Sequence, residues 1–217
     1  GETERVVTGF DQVASMIYDE TGLVIKPLVA TEYAGVIEAM CSDPPKAHMA
    51  SLATFSYVLA ADRGCAEAAM LSVRFGSPTY NGQFLVRADS GITELSQLNG
   101  KTFCRPDPLS TSGWVIPSIM LKGAGVDPDT GLAEVVDAGS HDAVVAAVYN
   151  GDCDVGVSYA DARSSIEEDF PDVKEVVVVL ARATVGGSFT SVTLMASAAV
   201  SLGSGASAAS STSTVRM

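Results

Sequence analysis

Gly100-Lys-Thr-Phe-Cys-Arg-Pro-Asp-Pro-Leu-Ser-Thr-Ser-Gly-Trp-Val-Ile-Pro117 is the stretch on which the reading of this chain turns. It begins as a short strand, Lys101 to Cys104, and passes into a helix that starts near Ser112. The tetrapeptide Ser110-Thr111-Ser112-Gly113 therefore sits where a strand gives way to a helix. Three hydroxyls and several unpaired backbone N–H groups gather there, and a helix N-terminus with free amides favours an anion. Hydroxyls add neutral donors that wrap tetrahedral oxygens without a cation. The plainer alternative is that one of the three is only an N-cap, a position that Ser and Thr often fill.

Outward from this point, strand and helix alternate. Strand Ala133 to Asp137 leads to helix His141 to Tyr149, which stops at Asn150-Gly151. Strand Asp154 to Tyr159 leads to helix Ala162 to Asp169, and a strand from Val173 to Leu180 follows. On the N-terminal side, Val6 to Tyr18 carries apolar residues at helical spacing and Leu23 to Val29 is an apolar strand. Thr31 reads as the N-cap of a helix that Asp43-Pro-Pro45 terminates. Strands at His48 to Leu52, Ala66 to Phe75 and Tyr80 to Ala88, with helices at Phe55 to Asp62 and Thr93 to Leu98, complete the set. Such alternation predicts an α/β fold with mainly parallel sheets covered on both faces. In such sheets ligands lie at the carboxyl ends of strands, where the Ser110 cradle, the Gly139-Ser140-His141 turn and Tyr159 to Asp161 all fall.

Composition narrows the partners. The chain has 217 residues, 47% of them hydrophobic and 18% charged, which is enough for one large or two small lobes with real cores. A formal net charge of −13 argues against nucleic acid, whose phosphate backbone recruits Lys and Arg. A local cluster of donors still suits a small anion. No apolar run approaches the ~20 residues of a membrane span. The first residues do not resemble a signal peptide, so the chain is read as either cytoplasmic or exported with its signal removed. Cys41, Cys65, Cys104 and Cys153 lack metal-ligand spacing, and no glycine-rich nucleotide loop is present, so neither metal nor cofactor is expected. Sequence order suggests Cys41–Cys65 and Cys104–Cys153 disulfides, with four buried thiols as the alternative.

The quoted run, together with Gly139-Ser-His-Asp-Ala143, resembles the phosphonate, phosphite and phosphate solute-binding proteins of ABC importers, from Glu2 to about Ala181. That resemblance implies a two-lobed, type 2 periplasmic-binding-protein-like fold, with lobe 1 at 1–84 and lobe 2 at 85–181. It implies a pocket for a small phosphorus oxyanion built from Ser110, Thr111, Ser112, His141, Tyr33, Tyr80 and an acidic residue near Asp161, with Tyr57 at the rim. The partner would be an ABC transporter permease, and the location periplasmic or extracytoplasmic, with a lipid anchor conceivable in the precursor.

Each residue also has a duller reading: Tyr33 as a half-buried core residue, Tyr80 as an edge aromatic, His141 as structural, and Asp161 as an N-cap. A carboxylate at Asp161 would accept a hydrogen bond from a protonated ligand oxygen and so select hydrogen phosphonate over sulfate. Ser, His and Asp together also invite a hydrolase reading, although no Gly-x-Ser-x-Gly elbow is present. A ligand-sensing module would use the same pocket. The chain departs from the family after Ala183, where composition turns to Ser, Ala, Thr, Val and Gly, and 188–215 carries no charge. We read 182–217 as a low-complexity tail, explained by a shifted frame or an incomplete gene, or else by a flexible extension. With no strand ahead of the first helix, the first lobe is expected to be incomplete.

Overall fold

The computed structural model describes residues 2–73, 76–184 and 192–195. Two sheets organise these residues. The larger has five strands: β3 (Asn81–Arg87), β4 (Thr102–Arg105), β5 (Glu134–Asp137), β6 (Val155–Tyr159) and β7 (Val177–Thr184), in the order β5-β4-β6-β3-β7. β4 pairs in parallel with both β5 and β6, and β3 is antiparallel to both β6 and β7. The predicted parallel pairing thus holds among β4, β5 and β6, and fails at β3 and in the smaller sheet. Because β4, β5 and β6 run the same way, the loops after Arg105, Asp137 and Tyr159 leave from one edge, as the sequence suggested.

The period-two alternation of β3 assigns its side chains to two cores. Phe84 and Val86 face Phe103, Leu121, Val126, Val155 and Val157, under the helix α4 (Ile116–Gly123). Leu85 points the other way, toward Val144, Val145 and Val148 of α5 (His141–Asn150) and toward Val173 and Val177. Each such side chain, fully buried, contributes about 1.5–3 kcal/mol. Gly156 lies beneath α5, where a Cβ would come within 2.6 Å of Val144 Cγ1 and 2.7 Å of Val148 Cγ2, so the helix seats flush on β6 only because this residue lacks one.

On the other side, β1 (Met49–Leu52) and β2 (Glu67–Leu71) flank β8 (Val192–Met195), which is antiparallel to both. Helices α2 (Tyr33–Cys41) and α3 (Thr54–Asp62) pack on this half, with a core of Ile37, Met40, Leu52, Ala60 and Ala66, while α1 (Glu2–Thr21) contributes nothing to that core. Disulfides join Cys41 to Cys65 and Cys104 to Cys153, with Cα separations of 5.1 and 5.9 Å, in the pairing suggested by sequence order. The second ties β4 to the start of β6.

Several elements differ from the sequence reading. Residues 23–29 form no strand: Leu23, Val24 and Leu28 are exposed, and among the described residues nothing pairs with them. An apolar run needs a neighbour for its backbone groups before it becomes a strand. Ala162 to Asp169 shortens to a single 3₁₀ turn, Ala162–Ser165, and Val173–Val176 is a helical turn (α6) leading into β7. Within the stretch read as a tail, residues 182–184 extend β7 and Val192–Met195 forms β8, the crossover strand that composition concealed. The remainder of 185–217 lies outside the described residues.

Candidate anion-binding site

Strand β4 ends at Arg105, and the chain passes through Pro106, Asp107, Pro108 and Leu109 into a wide, π-type turn at Thr111–Val115 that continues as α4. Such turns are uncommon and concentrate at functional sites. Ser110 is the N-cap, its hydroxyl accepting from the Gly113 N–H at 3.1 Å. Gly113 is required by space: a Cβ would meet Pro106 Cδ and Cγ at 2.4 Å. Ser110, Thr111 and Ser112 are all buried, at 1%, 5% and 2% exposure.

The hydroxyls do different work. That of Thr111 accepts from the Phe55 N–H at the start of α3, at 2.9 Å. The Ser112 hydroxyl has no hydrogen-bond partner among the described residues, and the first amides of the turn precede any carbonyl they could reach within it. Donors are therefore left over for an anion after the capping is done. The nearby cation is committed elsewhere, since Arg105 pairs with Asp137 and stacks 4.3 Å over the Trp114 ring. The cradle is one of neutral donors.

Tyr33 opens α2, and its N–H donates to Asp107 Oδ2 at 2.9 Å. The predicted cap, Thr31, does not serve, and Glu32 occupies the cap position without a side-chain bond. Tyr57 lies on α3, partly buried against the small core. Tyr80 precedes β3 and is half-buried.

His141 is the first residue of α5, behind Ser140, whose hydroxyl accepts from the Ala143 N–H at 3.1 Å. Its Nδ1 shares a hydrogen bond of 2.8 Å with Ser158 Oγ, and its ring meets that of Tyr159 edge-on at 5.0 Å. Burial pushes its pKa down to about 4, against the opposing charge of Asp142. The ring is neutral, as its place at a helix N-terminus also favours. The partner of His141 is a hydroxyl rather than Asp161, so the acid that a hydrolytic triad needs is not in place.

Asp161 is exposed and occupies the N-cap position of the 3₁₀ turn in a left-handed conformation, φ 65°, with no cap bond from its side chain. The neighbouring Ala160 N–H donates to the Asn81 carbonyl at 2.6 Å and Tyr159 lies opposite Gly82, which places Asp161 close to the start of β3 and Tyr80. Two groups result: the cradle with the N-termini of α2 and α3, and His141 with Tyr159, Asp161 and Tyr80. They are joined because the cradle turn packs on β6, β3 and α3.

Sequence reasoning missed Asp107, Ser158 and Gln83. Asp107 is 6% exposed and also accepts from the Leu109 N–H at 2.7 Å, the Asp-to-i+2 turn that an Asp-Pro-Leu string signals. Ser158 interrupts the apolar run of β6, and a polar residue inside a buried strand is its own signal. Gln83, fully buried, lies opposite it on β3.

Residues 2–202 match the family described as the periplasmic substrate-binding protein of the phosphonate ABC transporter. The chain belongs to this family. The family is one of binding proteins rather than enzymes, and it is periplasmic. The "Phosphate-import protein PhnD" of Mycolicibacterium smegmatis is 32% identical over 69% of this chain and 49% of its own length. The chain spans about half the length of the curated relatives it matches. A binding protein component of an ABC phosphonate transporter from Pseudomonas aeruginosa superposes with a TM-score of 0.77 at 23% identity, over 88% of this chain and 64% of that one. PhnD1 from Prochlorococcus marinus, solved with methylphosphonate, gives 0.71 at 16% identity, over 86% and 69%. These likenesses establish the fold, that of the type 2 periplasmic binding proteins.

Proposed function

We propose that this chain is the solute-binding part of an ABC importer and takes a phosphonate, phosphite or phosphate between its two sheets. The observation that carries this reading is the cradle: a buried Ser112 hydroxyl and turn amides without partners among the described residues, with a neutral His141 on the neighbouring strand-to-helix turn. A tetrahedral oxyanion accepts from all of them. In this reading 1–84 forms lobe 1 and 85–181 lobe 2, Tyr33, Tyr57 and Tyr80 surround the substituent on phosphorus, and Asp161 accepts from a protonated ligand oxygen, favouring hydrogen phosphonate over sulfate. The ligand touches both lobes only when the cleft is shut, so it shifts an open–closed equilibrium. The closed form then docks on the permease outside the cytoplasm, with a lipid anchor on the precursor as one means of tethering.

Calorimetric titration with phosphate, phosphite, methylphosphonate, 2-aminoethylphosphonate and sulfate tests the proposal. One phosphorus ligand binds selectively, and Ser112→Ala weakens it, since each buried hydrogen bond lost to a charged group costs about 1.5–3 kcal/mol. Equal affinity for sulfate, or no binding by a chain shown to be folded, refutes it.

A further inference from the structure

The segment Asp107 to Leu109 leads into the cradle, yet its contacts, and that of Thr111 beyond it, reach the other half of the molecule. Asp107 Oδ2 accepts the first N–H of α2, 74 residues earlier in the chain. The Thr111 hydroxyl accepts the Phe55 N–H of α3, 56 residues earlier. Between them, Leu109 packs against the Ile37, Met40, Leu52 and Ala60 core. Neither helix caps itself, because Glu32 and Ala53 occupy the cap positions without side-chain hydrogen bonds. One N–H in the first turn of each helix is therefore taken up by a single five-residue stretch of the β4–α4 connection.

We propose that Asp107, Leu109 and Thr111 form a clasp that holds α2 and α3 onto the anion cradle, with Asp107 as its positioning residue. The stretch is stiff by composition: Pro106 and Pro108 fix their own φ angles, and Asp107 Oδ1 accepts from the Leu109 N–H, so little entropy is lost when the clasp engages. The carboxylate also meets the positive end of the α2 dipole, and a nine-residue helix has few other means of settling its first turn. The clasp brings Tyr33 and Tyr57 to the serine and threonine donors before any ligand arrives. Where it is open, the competent fraction falls and the apparent dissociation constant rises in proportion. This last step rests on the proposed function, whereas the clasp itself does not.

Hydrogen exchange on the ligand-free chain tests the clasp directly. In Asp107→Ala the Tyr33 amide exchanges about tenfold faster or more, and Asp107→Asn, which keeps a carbonyl acceptor, restores part of the protection. Amides of β3 and β6 stay unchanged, which separates a local clasp from general loss of structure. Leu109→Ala, which leaves the carboxylate in place, accelerates both Tyr33 and Phe55. Unchanged exchange at Tyr33 in Asp107→Ala, or equal acceleration throughout the chain in both the Asp107 and Leu109 variants, overturns the clasp. Titration with methylphosphonate forms the second arm: affinity falls about tenfold in Asp107→Ala with Ser112 untouched. A wild-type chain that binds none of the phosphorus anions defeats the functional reading, and the exchange result still decides the clasp.

Discussion

At the scale of single residues, two positions make the site chemically distinct. His141 is held neutral by burial, with its pKa moved from 6.5 to about 4. A histidine whose folded pKa is depressed leaves the folded state at full stability above pH 6.5 and weakens it as pH falls toward 4, because the unfolded chain takes up the proton first. Unfolding free energy should therefore decline by roughly 1.4 kcal/mol per pH unit through that window from this residue alone. Urea denaturation at pH 7, 6, 5 and 4 on the parent and on His141→Gln measures it, and a variant with the same pH slope as the parent would sink the assignment. Gly113 is the other position. A methyl group there collides with the Pro106 ring, so Gly113→Ala must displace the loop that carries Ser110 to Ser112. Overpacking of this kind costs about 1–3 kcal/mol, and here the expected readout is lost methylphosphonate affinity with the far-ultraviolet spectrum intact. Retained affinity would mean that the cradle tolerates a shift.

Elements explain which parts of this architecture are legible from sequence. The strands and helices from Asn81 to Tyr159 announce themselves, since apolar strands bounded by Gly, Pro and Ser caps carry their own instructions. Gly151, the stop of α5, is a local signal found where expected, and Ser140 caps the same helix. What fails to show is tertiary. Leu23 to Val29 has the composition of a strand but acquires no ladder among the described residues. The true cap of α2 is an aspartate 74 residues away, which no local pattern contains. β8 hides in a stretch whose Ser, Ala and Thr content resembles a tail, yet its backbone pairs with β1 on one side and β2 on the other. For the site, hydroxyls at a strand-to-helix turn are readable and Ser158 stands out as a polar residue in an apolar strand, whereas its pairing with His141 needs β6 to sit against α5. That contact makes its own prediction. Gly156→Ala pushes a methyl group into Val144 and Val148, so α5 must lift, and stability falls by about 1–3 kcal/mol in chemical denaturation. A loss below a few tenths of a kcal/mol would show that α5 is not seated as tightly as the geometry requires.

For the whole molecule, the decisive quantity is charge. In the proposed function a chain with a formal net charge of −13 captures an anion, using donors that carry no charge of their own. The local cradle sets how tightly the ligand is held, while the distant acidic surface sets how fast it arrives. These two contributions respond differently to salt. Screening length shrinks from about 30 Å at 0.01 M to about 8 Å at 0.15 M, so added salt removes the long-range repulsion while leaving buried hydrogen bonds largely untouched. The association rate for methylphosphonate should therefore rise with ionic strength, opposite to receptors that steer anions with lysine and arginine, and the dissociation rate should change little. Trp114, the single tryptophan of the chain, lies in the cradle turn beneath Arg105 and gives a native fluorescence signal for stopped-flow mixing. A rate that falls as salt is added would mean that a cationic surface guides the ligand, and the neutral-donor account of the site would have to be abandoned.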